Sequence, residues 1–481
     1  MKKTIVFVIF LINIIVMAGT SIRVDNLNDL QKSINNASPG DKIILKDGKY
    51  NAADAIEIEG VQGAKDDWIV IKAESVGGAE IKGKGNFEFK HCTNLVIDGF
   101  YLSQIAEAKS FQIRDSQYMR VTNCTFNLQE QGEKNYWLFI AGEGPTHNIR
   151  IDHNEFKKKY NEGCFIVVYG PEKSIAKNVT IDHNHFRGHY FTGENGGEAI
   201  RYGDSDRQNY SSYAIIEENL FENCNGDVEV ISVKSTNLTV RRNTLRNCTG
   251  AIVLRHGDSC RVENNFILNG NGGIRFYGDN QEIVGNYLYN NDQFSVDGLM
   301  KPAYSTIAIG NGDREDLANG QNTYDQPTNC LVAYNTLVYN QGPNIDFGVY
   351  GNNNFPATNI TVANNIVISD EKKCITFSKK PDNPEFYGNL LFGQGDAGDI
   401  PDSGYQWAEP GMSIDEFGVY HLDSESPAID NAKQIRRLKD FDYDIDGQIR
   451  ENYDIGADEY SNEDVIYRPF GEGDVGPVKM K

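Results

Sequence analysis

The sequence predicts an all-β chain, a single-domain right-handed parallel β-helix with an N-terminal capping helix. Three observations carry that expectation: a six-residue phrase recurs along the chain, each copy alternates like a strand around an asparagine, and the copies are spaced by one coil or one coil plus a loop. The phrase, apolar-x-x-Asn-x-apolar, reads Ile151-Asp-His-Asn-Glu-Phe156, Ile216-Glu-Glu-Asn-Leu-Phe221 and Val362-Ala-Asn-Asn-Ile-Val367, and fades at Phe386-Tyr-Gly-Asn-Leu-Leu391. Its asparagines fall at 123, 154, 184, 219, 243, 265, 286, 335, 365 and 389. The spacings describe coils of about 22 residues with loop insertions, and the 49-residue gap after Asn286 is expected to hold two coils. Asparagine tolerates left-handed turn conformations, so the column reads as a structural ladder inside a turn, hydrogen-bonded from coil to coil.

Residues 1–18 read as a signal peptide: Lys2 and Lys3 precede an apolar run from Thr4 to Met17 that is too short to span a bilayer. The mature chain is therefore expected to be exported, periplasmic or secreted, without stable membrane insertion. Residues 19–395 form the expected β-helix. Leu27, Leu30, Ile34 and Ala37 at helical spacing predict a cap over its first coil, before Pro39-Gly40 and a first strand at Ile43-Ile44-Leu45. The insertion at 291–328 is expected to wall a cleft, and residues 396–481 to pack as a loop-rich tail along the solenoid. Cys224 and Cys248 each follow a ladder asparagine by five residues, which places them in one column; buried stacked thiols are favoured over a bridge.

Charge excludes one class of partner. With 46 Lys and Arg against 68 Asp and Glu, the formal charge is −22, a field that repels nucleic acid. Between residues 229 and 275, however, seven cationic side chains face three acids. Such a reversal suits an anionic ligand gripped at one place. Arg241 and Arg242 sit beside the ladder turn and read as exterior charges. Lys234, the pair Arg255-His256, and Tyr277 lie nine or ten residues before successive ladder asparagines and so share a column on adjacent coils. Cationic neighbours would lower the Lys234 pKa and free an amine to act as a base. Asp227 and Glu229, two apart, point to one face of a strand, and Asn195-Gly-Gly-Glu198 adds an amide oxygen and another acid from the preceding coil. Hard oxygens of this kind suit Ca²⁺. Because Lys234 is an odd number of residues from both acids, a bend must intervene if all three serve one site. Asp442-Tyr-Asp-Ile-Asp-Gly447 imitates an EF-hand loop, but Tyr453 stands where the bidentate Glu is needed, so a structural turn is the better reading.

These residues carry a family resemblance. Asn195-Gly-Gly-Glu-Ala-Ile-Arg201, Asp227-Val-Glu229-Val-Ile-Ser-Val-Lys234-Ser235, Leu254-Arg255-His256-Gly257 and Gly272-Gly273-Ile-Arg275 resemble the signatures of polysaccharide lyase family 6, which contains alginate lyases and the dermatan-cleaving chondroitinase B. The likeness extends to Asp454-Ile-Gly-Ala-Asp-Glu459 and Asp474-Val-Gly-Pro477 near the C-terminus. It implies calcium-assisted β-elimination giving 4,5-unsaturated oligosaccharides. Asn195, Asp227 and Glu229 correspond to the metal ligands, with Asp227 where the family usually has Glu. Lys234 resembles the base and Arg255 the residue that assists the leaving group, while His256, Arg201, Arg275 and Tyr277 read as substrate-binding. The expected partner is an anionic polysaccharide, alginate before dermatan sulfate. Two rival classes are a β-helical glycoside hydrolase using Asp227 and Glu229, which leaves the Lys234 column unexplained, and a non-catalytic polysaccharide-binding protein.

Overall fold

The computed structural model describes residues 19–193, 195–290, 305–349, 354–370 and 372–478, and the backbone of 295–296 and 299–300. The expected signal peptide and part of the 291–328 insertion lie outside the described residues. Among those described, the strands form three long parallel sheets of 14, 12 and 14 members, each strand pairing with its counterpart one coil away. This is the right-handed parallel β-helix that the repeat predicts.

The phrase builds two of the three walls and the turn between them. Its first apolar residue points inward on one sheet, as Ile151 and Ile181 do, and its last points inward on the next. Phe126, Phe156, Phe186 and Phe221 stack in that last position at centroid separations of 4.5, 5.0 and 4.7 Å. Between them the asparagines form the ladder. The backbone N–H and Nδ2 of Asn219 both donate to Asn243 Oδ1, and those of Asn243 donate to Asn265 Oδ1, at 3.0–3.1 Å. The same pattern runs from Asn154 to Asn389 with every ladder side chain fully buried.

Two details of the expected ladder need correction. Asn123 is not a member: the column position there belongs to Cys124, whose N–H donates to Asn154 Oδ1 at 2.9 Å. The left-handed conformation also falls one residue earlier than expected, at Asn123, His153, His183, Glu218, Arg242 and Asn264, with φ of 50–55°. The ladder residue is chosen for its amide hydrogen bonds rather than for αL tolerance. The 49-residue gap holds one coil, not two, since Asn286 N–H donates straight to Asn335 Oδ1 and Glu282–Val284 pairs with Leu331–Ala333. The extra length is spent in insertions on either side of the strand Ile307–Ile309.

The cap helix is Leu27–Asn35, capped by Asn26 Oδ1 and packed through Leu30 and Ile34. A strand before it, Ser21–Val24, pairs with Lys42–Leu45, so the first coil begins earlier than the apolar run at 43–45 indicates. After Tyr405–Trp407, the last strand on the main sheets, the tail runs back along the solenoid: Ile445, Ile455 and Ala457 pack with Phe266, Tyr287 and Ile366, and Val478 N–H reaches Asn123 Oδ1. All eight cysteines are buried and free, Cys224 and Cys248 among them. The Asp442–Gly447 segment is a turn in which Asp444 Oδ1 accepts from the N–H groups of Asp446 and Gln448.

Candidate active site

The 12-stranded sheet carries the basic stretch. On its outer face one register column reads Phe139, Val167, Arg201, Ser232, Val253 and Arg275 on successive coils. The alternate residues Ile140, Val168, Tyr202, Val233, Leu254 and Phe276 fill the core. Regular alternation would leave Glu229 and Lys234 on opposite faces. One register irregularity resolves this, between Glu229 and Ile231, where Val230 is the extra residue, as the odd spacing demanded; a second, opposite Val233 and Lys234, falls on the neighbouring strand. The second makes Arg255 an extra residue, so Lys234 pairs with His256.

Glu229, 3% exposed, is the electrostatic centre. Its Oε1 accepts from Arg255 Nη1 at 3.0 Å and from Arg275 Nη2. Burial pushes its pKa up, but Arg275, Arg255 and Lys234 together hold it down at about 2. Asp227 is the opposite case, raised to about 6 by burial, Glu198 and Glu229. Its Oδ2 accepts from Gly196 N–H at 2.6 Å and Gly197 N–H at 3.2 Å. Those glycines allow the approach: a Cβ on Gly197 would lie 2.3 Å from the Gly226 carbonyl oxygen, and Gly196 has φ of +103°. Asn195 stands exposed at the mouth of the same turn. An amide oxygen and two carboxylates are the donor chemistry of a hard divalent cation, with Glu229 Oε1 already held by Arg255 and Arg275. Glu198 is not spare, since it binds Arg201 in a bidentate pair at 2.9 and 2.6 Å.

Lys234 is partly buried, and burial pulls its ammonium pKa down from the ordinary value; Glu229 opposes this, and Arg201 and Arg255 add to it. Desolvation thus outweighs the cationic neighbours that sequence reasoning invoked. His256 is fully buried and held neutral, with a pKa of about 3 caused by burial, Arg255 and Lys234. Tyr277 is also fully buried, with Tyr324 stacked on it at 4.4 Å and 19°. Both therefore back the cleft, whereas Arg201, Arg255 and Lys234 retain exposure. Arg241 and Arg242 are bound to Glu217 and Glu218 outside the cleft, as the exterior reading held.

Sequence reasoning missed Asn322 and Tyr324. The Arg255 guanidinium lies 5.3 Å from the Tyr324 ring centre, and Asn322 lies beside His256. They belong to an insertion with no repeat register, so no spacing could place them. An aromatic extension of the cleft was missed as well: Tyr136, Phe139 and Tyr169 cluster outside the sheet, with Lys109 Nζ 4.1 Å from the Phe139 ring centre. The signal for it was the aromatic content of Tyr136-Trp-Leu-Phe139 at the register of Arg201.

A parallel β-helix with a cationic cleft over one of its three sheets defines the structural class. The family model described as Chondroitinase B matches residues 24–444, and the chain belongs to that family, polysaccharide lyase family 6. Among solved structures it is similar to the family 6 alginate lyase AlyGC, with 25% identity and a TM-score of 0.73 over 84% of this chain and 55% of that one. It is also similar to a mannuronic acid specific family 6 lyase from human gut microbiota, with 25% identity and a TM-score of 0.67 over 78% and 86%. The family 6 lyase Pedsa3628 from Pseudopedobacter saltans shares the fold at 21% identity and a TM-score of 0.64, over 92% of this chain and 99% of that one. The chain thus spans little more than half the length of AlyGC. No curated protein matches it in sequence.

Proposed function

We propose that the protein is an exported lyase that cleaves a uronate polysaccharide, alginate in first place, by β-elimination. The observation that supports this most is a partly buried lysine of depressed pKa set beside Arg255 and the Arg201–Arg275 column. A glycosidase needs no such base. In this reading the neutral Lys234 amine takes the C5 proton of a uronate. The C–H electron pair forms the C4–C5 double bond, the C4–O4 bond breaks, and the departing O4 receives a proton from water or from the Lys234 ammonium. Arg255 stays a guanidinium, since Glu229 and Tyr324 offset its burial, so it assists the leaving oxygen by charge and hydrogen bonding rather than as an acid. Arg201 orients the polymer's carboxylates, Arg275, buried against Glu229, sets the charge beneath them, and the Phe139 platform offers a face for neighbouring sugar rings. Asn195, Asp227 and Glu229 would hold calcium, which when bound neutralises the uronate carboxylate and so acidifies C5.

Dermatan sulfate is the second reading, favoured by the family model that the chain matches. Ultraviolet absorbance of the conjugated double bond, followed on alginate and on dermatan sulfate with and without a calcium chelator, tests both. Unsaturated product from alginate, diminished by the chelator, is the expected result. Reducing ends released without unsaturation would contradict elimination, and binding without any product would favour a carbohydrate-binding protein.

A further inference from the structure

The loop-rich tail follows no repeat, yet three of its segments meet at one imidazole. His421 lies on the strand Tyr420–Leu422, which pairs antiparallel with Met412–Ile414. Asp446 comes from the turn Asp442–Gly447, and Asp458 from the stretch Asp454-Ile-Gly-Ala-Asp-Glu459. Their donor atoms, one ring nitrogen and one oxygen of each carboxylate, all lie within 4.8 Å of one another. His421 Nδ1 is 3.0 Å from Asp446 Oδ2 and 3.2 Å from Asp458 Oδ1. Both acids are buried, while the imidazole remains 24% exposed.

Two features set this group apart from an ordinary ion pair. Two carboxylate oxygens converge on a nitrogen that carries at most one hydrogen, and the separations match those that coordination imposes: bonds of about 2.1 Å at about 90–110° put neighbouring donors about 3.0–3.4 Å apart. The surroundings also hold the donors in place. The other ring nitrogen, Nε2, faces Asp415 Oδ2 at 3.3 Å, and Asp415 Oδ1 accepts from the N–H groups of Phe417 and Val419 at 2.9 and 2.8 Å. The second oxygen of Asp458, Oδ2, accepts from Leu422 N–H at 2.7 Å. A carboxylate on the far nitrogen of a histidine, and a backbone donor on the far oxygen of an acid, are the outer shell by which proteins orient metal ligands.

We propose that His421, Asp446 and Asp458 bind a divalent transition-metal ion, zinc in first place, and that this ion ties the three tail segments together on the solenoid. The nitrogen donor disfavours calcium, which takes oxygen, and suits zinc, which accepts imidazole and carboxylate together. Water can complete the shell from the exposed side of the ring. The residues beside two of the ligands anchor the tail to the coils: Tyr420 N–H donates to Tyr287 Oη at 3.0 Å, and Ala457 N–H to Thr336 Oγ1 at 2.8 Å. An ion shared by His421 and Asp458 therefore links neighbouring anchor points. The site is separate from Asn195, Asp227 and Glu229 and does not rest on the lyase reading. Its rival occupant is a proton: burial disfavours the imidazolium, but Asp446 and Asp458 hold it protonated where no ion displaces it.

Zinc alone is the probe. The untagged full chain, stripped with a chelator and dialysed against zinc, should retain one equivalent by elemental analysis. His421→Ala and Asp446→Asn, each checked for an unchanged far-ultraviolet circular dichroism spectrum, should lose that equivalent or bind it more weakly by about ten-fold or more. Asp227→Asn should keep it. Cobalt in place of zinc should give the visible absorption of nitrogen and oxygen ligation in the wild type and not in His421→Ala. Zinc should also slow amide hydrogen exchange across 412–422 and 444–459 in the wild type alone. If the wild type retains no zinc, or if both tail variants retain as much as the wild type, a proton rather than a metal joins these residues and the proposal is overturned.

Discussion

Glu229 and Lys234 show how much of the chemistry is set by single side chains in one cleft. Glu229 is paired with two arginines and stays ionised, while Lys234 gives up part of its affinity for a proton to desolvation. A base with a lowered pKa is neutral over a wider range, so the rate should rise with pH through the depressed lysine value and then level off. Arg201→Gln removes a cation that disfavours the ammonium and frees the Glu198 carboxylate that favours it. Both changes raise the Lys234 pKa. The acidic limb of the pH–rate profile should therefore move to higher pH in this variant, and an unmoved limb would show that another group sets it. Glu229, Lys234 and Arg255 could be placed from sequence because they lie on strands whose register the repeat defines; Asp227, expected on the same strand face as Glu229, sits instead in the bend before that strand. The backing roles of His256 and Tyr277 were not legible, because a period of two assigns a face but not what later covers it.

At the scale of elements, the ladder is what holds the coils in register. Asn243 is fully buried; its Nδ2 donates to the carbonyls of Ile216 and Arg241 and to Asn265 Oδ1, and its Oδ1 accepts from both nitrogens of Asn219. Asn243→Ala strands several of these groups away from water. At about 1–3 kcal/mol for each unsatisfied buried group, partly relieved by relaxation, the loss should reach about 3 kcal/mol. Urea unfolding of the variant measures it, and a change below about 1 kcal/mol would mean that the ladder is ornamental. The strands and the cap helix were readable because apolar periodicity marks them directly. The misplaced Asn123 and the supposed double coil had one cause: the phrase was matched by its asparagine, whereas the fold aligns the whole turn, including the left-handed residue before the column. Pairing of Glu282–Val284 with Leu331–Ala333 shows that the extra residues leave the solenoid and return to it.

As a whole molecule, the solenoid supplies a long, flat, parallel sheet on which successive coils contribute one residue each to a cleft, a shape suited to a polymer. The strongly acidic body and the basic strip across it belong together, since the net charge limits nonspecific anion binding while the strip retains a local grip. The tail closes the far side and leaves the catalytic sheet open, an arrangement beyond the reach of sequence because the tail follows no repeat. The central claim is that Lys234 abstracts the proton in an elimination. It is tested most directly by single-turnover formation of unsaturated product from alginate with the wild type and Lys234→Ala at matched saturation. The account predicts a loss of at least a thousand-fold in that rate with polymer binding changed by less than about ten-fold, as expected for a group acting in the transition state. A variant that still forms unsaturated product within ten-fold of the wild-type rate would contradict it.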